Sequence, residues 1–109
     1  MGCCRAITDQ LDAVETAKAR LTSSRRKNPQ ELASAVTTNL NTCRQILGTY
    51  RVSRSLTSQF RQEIEPDLAN VWTSQELDAY ATKLQQFAGV LKQTLVKWRS
   101  LYCKEALSA

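Results

Sequence analysis

The stretch TTNLNTCRQILGTYRVSRSLTSQFRQ, residues 37–62, holds four arginines and no aspartate or glutamate. It has no proline and a single glycine, Gly48, so its residue types favour one uninterrupted helix. The signals on either side extend that helix. Upstream, Asn28-Pro29-Gln30-Glu31 supplies an N-cap, a proline at the first helical position and a glutamate at N3. Downstream, Glu65-Pro66 ends it, because the residue before a proline avoids the helical region. The predicted second helix spans about residues 29–64. Its length of roughly 50 Å, at about 1.5 Å per residue, is more than one small monomer can bury. Gly48 marks a weak point in it, a kink or a place of close backbone approach.

The rest of the chain reads as helix too. Three glycines and two prolines in 109 residues leave few turns, and 42% apolar content suits one ordinary domain over residues 1–109. Cys4, Ile7, Leu11, Val14, Ala17 and Leu21 recur at three- and four-residue spacing and predict a first helix over about residues 4–23. The short basic connection Ser23-Ser24-Arg25-Arg26-Lys27 makes helices one and two an antiparallel hairpin. After Pro66 a short helix at about 67–72 offers Leu68, Val71 and Trp72 to cap the bundle. Thr73-Ser74-Gln75-Glu76 has the capping-box form and starts a third long helix, about residues 74–106. Its stripe of Leu77, Tyr80, Leu84, Phe87, Leu91, Trp98 and Leu101 keeps heptad spacing, with Leu95 and Tyr102 beside it. The predicted fold is all-α: a helical hairpin with a very long second helix plus a long C-terminal helix, forming a dimeric bundle.

In helix two the apolar stripe changes sides. Leu32, Val36, Leu40, Cys43, Leu47 and Tyr50 form one line, which continued by sevens becomes basic at Arg54 and Arg61, while Leu56, Phe60 and Ile64 lie on another side. Such a helix meets different neighbours in its two halves, as where two copies cross. On this reading Leu40, Leu47, Tyr50, Leu84 and Leu91 belong to a homodimer interface.

Charge narrows the function. Residues 1–31 carry six basic and four acidic groups, 32–62 four and none, and 63–109 five and six. A positive field confined to one element points to a polyanion, either nucleic acid or an anionic membrane surface. With no histidine and no convergent acid, base or metal constellation, neither catalysis nor a metal or cofactor is expected. The four cysteines, Cys3, Cys4, Cys43 and Cys103, show no CxxC pair and no disulfide framework, and read as buried or terminal thiols in a reducing compartment. No apolar run has the length of a membrane span, and the N-terminus lacks a secretory hydrophobic core, so a membrane partner is not expected. Met1-Gly2-Cys3-Cys4 resembles the start of an acylated protein, but Ala6 stands where myristoylation prefers Ser or Thr.

On the predicted helix Arg44, Arg51, Arg54, Ser58 and Arg61 share about a third of the circumference, with Thr37, Asn41, Gly48 and Ser55 alongside. From Arg44 to Arg61 is roughly 25 Å along the axis, enough to reach phosphates on both sides of a groove. Arginine forks bind phosphate oxygens, and small hydroxyl and amide side chains contact sugar or phosphate while the backbone comes close. A solvated helix face ordinarily mixes in acids for i, i+4 support; a phosphate-facing one excludes them, since each would offset a counterion-releasing contact.

Val52-Ser53-Arg54 followed by Thr57-Ser58 resembles the V-S-R-x-x-T-S segment in the second helix of the RNA-silencing suppressor of insect nodaviruses, a small helical protein of nearly this length. Asn39-Leu40 and Cys43 resemble that family's N-L-x-x-C, offset by one residue. The resemblance implies a homodimer whose paired hairpins make a four-helix bundle and whose second helices lie along double-stranded RNA, shielding it from host dicing and loading in the host cytoplasm. It makes Arg54 the main phosphate contact, with Ser53, Thr57 and Ser58 near it. Leu47 and Thr49 replace the family's lysines, leaving Arg44 and Arg51 to substitute, and the long third helix is a departure.

Duplex RNA is recognised by phosphate spacing and 2′-hydroxyls rather than base edges, so binding independent of sequence and length is expected. Phe60, Tyr80, Phe87, Trp98 and Tyr102 sit on apolar stripes and provide no single-strand stacking platform. The competing reading is a helical protein-interaction module whose apolar stripes recruit a partner. A variant of it is membrane-associated through an acylated Gly2 or Cys3 with Arg25, Arg26 and Lys27.

Overall fold

The capping signals locate the helix starts. In a computed structural model of the chain, which describes residues 2–25 and 27–103 with the side chains of 2 and 3 excepted, Asn28 Oδ1 accepts from the Glu31 amide at 2.9 Å. This cap opens α2, Pro29–Tyr50. Thr73 and Glu76 exchange reciprocal bonds of 3.0 and 2.9 Å and open the longest helix. The four α-helices are α1 (Gly2–Ser24), α2, α3 (Arg54–Gln59) and α4 (Ser74–Tyr102). A π-helical turn, Phe60–Ile64, extends α3, and a 3₁₀ helix, Pro66–Asn70, leads toward α4. The predicted end of the last helix near residue 106, the side chains of Gly2 and Cys3, and Arg26 lie outside the described residues.

Three long helices, α1, α2 and α4, pack mutually around one core. Ile7, Leu11, Val14 and Leu21 come from α1, Leu32, Val36, Leu40, Cys43 and Leu47 from α2, and Tyr80, Leu84, Phe87, Leu91 and Leu95 from α4. Helices α1 and α4 run antiparallel, because their cross-links descend in step: Cys4 with Cys103, Thr8 with Arg99, Glu15 with Lys92, Thr22 with Gln85 and Arg25 with Asp78. Arg20 joins α1 to α2 through Ser34 and Thr38, at 3.0 and 3.1 Å.

The single long second helix is overturned. It ends at Tyr50, Arg51 takes a left-handed conformation with φ 47° and ψ 42°, and Ser53 caps a new helix by accepting from the Leu56 amide at 3.1 Å. The cause is the shifted apolar stripe. A straight rod would carry Leu56, Phe60 and Ile64 into solvent; the bend buries all three. Phe60 then meets Phe87 with ring centroids 5.6 Å apart, and the Tyr80 hydroxyl donates to the Ile64 carbonyl. Burial at about 1.5–3 kcal/mol per large side chain exceeds the cost of about 1–2 kcal/mol for one left-handed non-glycine residue. Gly48 is neither a kink nor a close approach: it lies inside α2, and a Cβ added there would meet nothing within 4 Å.

Three further expectations change. Leu40, Leu47, Leu84 and Leu91 are buried within a single chain, where α4 covers the stripes a second copy was expected to cover, and Tyr50 packs half-buried on the same core. The four leucines are therefore core within one chain rather than dimer surface. Cys4 and Cys103, 99 residues apart in sequence, form a disulfide with Cα atoms 5.7 Å apart, which removes the argument from unpaired thiols to a reducing compartment. Of the predicted cap, Val71 packs on the core, whereas Leu68 is exposed and Trp72 is 85% exposed. No described helix is long and apolar enough to cross a membrane.

Candidate nucleic-acid interface

The bend that splits the second helix converts a basic stripe into a basic cleft. The end of α2 forms one wall with Leu47, Gly48 and Arg51; α3 and the π turn form the other with Ser53, Arg54, Thr57, Ser58, Arg61 and Gln62. The cleft is open and has a volume of about 710 Å³. Arg51, Arg54 and Arg61 are all exposed, and none has a carboxylate partner among the described residues.

Among the described residues no carboxylate lines the cleft. Two of the acids that follow the acid-free stretch, Glu65 and Asp67, pair with bases outside the cleft wall. Asp67 pairs with Lys83 at 3.5 Å, and the Glu63 carbonyl accepts from the same ammonium at 2.9 Å. Hydrogen bonding from Asn70 and then the nearby Lys83 charge hold the Asp67 carboxyl below its ordinary range. Glu65 takes Arg44.

Arg44 is consequently not a member of the site. Its Nε donates to Glu65 Oε2 at 2.6 Å and a terminal nitrogen donates to Asn41 Oδ1 at 2.7 Å, so Arg44 and Asn41 satisfy each other and a carboxylate. Thr37 is exposed on α2, well before the bend, and its hydroxyl donates to the Ala33 carbonyl at 3.0 Å. Ser55 is exposed but is not in the cleft wall. Of the predicted set, Arg51, Arg54, Arg61, Ser53 and Ser58 are brought together, and Arg44, Asn41, Thr37 and Ser55 are not.

The hydroxyls differ in what they can still do. Ser53 accepts from the Leu56 amide and Thr57 donates to the Ser53 carbonyl at 2.8 Å, so both help to cap α3. Ser58 is exposed and unengaged among the described residues. Gln62 also lines the cleft; it is outside the predicted set, although on a regular helix it falls at the angle of Arg44 and four residues after Ser58, so the helical period carried the signal that places it on the basic face. A concave site also replaces the 25 Å line expected from a straight rod.

Outside the cleft, Arg25 is committed to the fold. Arg25 forks onto both Asp78 oxygens at 3.1 Å and reaches Thr82 and Gln85, tying the α1–α2 connection to α4. That hydrogen-bonded pairing raises the Arg25 pKa and lowers that of Asp78. Arg25 is thus unavailable to the polybasic membrane contact that the sequence allowed. Cys43 is no reactive thiol, since burial pushes it up to about 12. Among the described residues no cluster of His, Cys, Asp or Glu could hold a metal ion.

No family model, no curated protein and no solved structure matches the chain.

Proposed function

We propose that the chain binds the phosphate backbone of double-stranded RNA through the cleft between α2 and α3, and acts by shielding the duplex, as the resemblance at Val52-Ser53-Arg54 and Thr57-Ser58 suggests. One observation carries this reading: Arg51, Arg54 and Arg61 surround one open cleft with hydroxyl side chains and, among the described residues, no carboxylate. Guanidinium forks and a hydroxyl fit phosphodiester oxygens, and the absence of acids keeps the local potential positive. Among the described residues no aromatic side chain lines the cleft, which disfavours recognition of single strands by base stacking. Three guanidiniums neutralise about three phosphates per chain, so useful affinity requires two copies on one duplex, each adding its own counterion release. Homodimerisation belongs to this proposal.

The test is a gel-shift comparison of duplex RNA, duplex DNA and single strands, with Arg54→Gln beside the parent. Duplex RNA should bind most tightly and without dependence on sequence, and Arg54→Gln should weaken it uniformly across duplex sequences. Equal binding by variant and parent removes the cleft from the account.

A second reading, a helical protein-interaction module, draws support from the exposed Trp72, Leu101 and Tyr102. Its anchors differ from those expected from sequence, since Leu84 and Leu91 are core. Trp72→Ser would abolish partner binding under this reading and leave RNA binding intact.

A further inference from the structure

The cleft wall carries three hydroxyl side chains, two of which are occupied. Ser53 and Thr57 serve the start of α3, whereas Ser58 stands exposed with no side-chain hydrogen bond among the described residues. Arg54 lies four residues before it and Arg61 three after it, and all three line the same cleft. Arg51, seven residues before, lines it too. We propose that Ser58 is a phosphoacceptor for a serine/threonine kinase that selects basic surroundings, and that the resulting phosphoserine closes the cleft to other anions by pairing with Arg54 and Arg61 of its own chain. The regulatory consequence rests on the reading of the cleft as a phosphate-binding site; the modification itself does not.

The chemistry is ordinary phosphoryl transfer. The Ser58 hydroxyl oxygen attacks the γ-phosphorus of ATP, the bond from that phosphorus to the β,γ-bridging oxygen breaks, ADP leaves, and the hydroxyl proton passes to the kinase's base. Arginines on both sides of the acceptor suit a substrate groove lined by carboxylates. The segment that must open for a kinase is bounded by the non-helical link at 51–53: α3 has six residues and the π turn that extends it five, together still a length marginal as an isolated helix.

Once formed, the phosphoserine adds a charge of about −1.5 to −2 beside three positive groups. Helix-neighbour spacing to Arg54 and Arg61 lets it make the charge-assisted forks that an incoming phosphodiester would make. It thereby competes for the same donors and cancels most of the attraction at long range. Ser55, which is exposed outside the cleft wall, offers no such bracket.

The full chain is incubated with a basic-directed serine/threonine kinase and ATP, the modified position is mapped by peptide mass, and the product is titrated by ³¹P NMR. Phosphate should enter at Ser58 and not in Ser58→Ala. Its second ionisation should fall below the ordinary value of about 6 and return toward it in Arg61→Gln. Duplex-RNA affinity of the phosphorylated chain should drop by about tenfold or more at low salt. Failure of the folded chain to accept phosphate at Ser58, or an unshifted titration, overturns the site. If the site holds but the unmodified chain does not bind duplex RNA, the functional reading fails and the phosphoacceptor stands. If Arg54→Gln loses RNA while phosphorylation leaves affinity unchanged, closure of the cleft is refuted.

Discussion

Replacing Cys103 by serine removes the disulfide that links the first helix to the end of the last. Its partner Cys4 is 99 residues away, so the bond closes almost the whole chain into one loop. In the chain-entropy treatment a loop of about 100 residues restrains the unfolded ensemble by about 4.7 kcal/mol at 25 °C. Residual order in the denatured chain reduces this, and a loss of about 3–4 kcal/mol is the reasoned expectation. Domains of this size have about 5–15 kcal/mol in total, so the variant should remain folded with a substantially reduced margin. The noncovalent contacts explain why folding survives: Ile7, Leu11, Leu91 and Leu95 are buried in one core, and the Arg99–Thr8 hydrogen bond links α4 to α1 toward the same end of the bundle. The assay is urea unfolding followed by circular dichroism, for the oxidised chain, the reduced chain and Cys103→Ser. With a slope of about 2 kcal/mol per molar urea, both perturbed forms should lose roughly 2 M in midpoint. They should also coincide, because reduction and substitution remove one and the same constraint. Equal midpoints for oxidised and reduced chain, or a full complement of four free thiols in the unreduced, unfolded protein, would refute the reasoning.

Other perturbations probe the bend, the clamp and the helix that carries the cleft. Gly48→Ala should raise stability by about 0.5–1 kcal/mol, because Gly48 is exposed within α2 and an added Cβ meets nothing; a lower urea midpoint contradicts this. Arg51→Gly should relieve the left-handed backbone at φ 47° while deleting one cleft guanidinium, so stability holds or rises as RNA affinity falls; a destabilised variant argues against the bend. Asp78 has a folded-state pKa lowered chiefly by its hydrogen bonds from Arg25, so its contribution is full above the ordinary carboxylate range and is lost as pH falls through the depressed value. The acid limb of a stability-versus-pH curve should accordingly be shallower in Asp78→Asn than in the parent, and parallel limbs would remove Asp78 from the acid response.

Local signals placed the helix starts, because caps depend on near neighbours: Asn28 with Glu31 and Thr73 with Glu76 are three residues apart and are seen in the structure. The core stripe of α2 was equally legible, with Leu32, Val36, Leu40, Cys43 and Leu47 all buried. The break at 51–53 was not, since Arg51-Val52-Ser53 contains neither glycine nor proline and the left-handed residue is an arginine. What decides it is the tertiary burial of Leu56, Phe60 and Ile64, whose displaced stripe was visible in the sequence but compatible with two packing solutions. The same bend explains the partial success at the site. It gathers Arg51, Arg54, Arg61, Ser53 and Ser58 into one cleft and brings Glu65 back onto Arg44, an acid three residues beyond the acid-free stretch. Pairing of Cys4 with Cys103 depends on α1 and α4 running antiparallel, which no local pattern encodes.

The central claim, that three unpaired guanidiniums in the cleft hold RNA phosphates while Arg44 does not, is tested most directly by the salt dependence of duplex-RNA affinity in single arginine variants. Arg54→Gln and Arg61→Gln should each reduce the slope of log affinity against log salt by about one unit per chain, whereas Arg44→Gln should leave it unchanged because that group is already paired with Glu65. A loss of slope in Arg44→Gln equal to that in Arg54→Gln, or no loss in either cleft variant, would contradict the account.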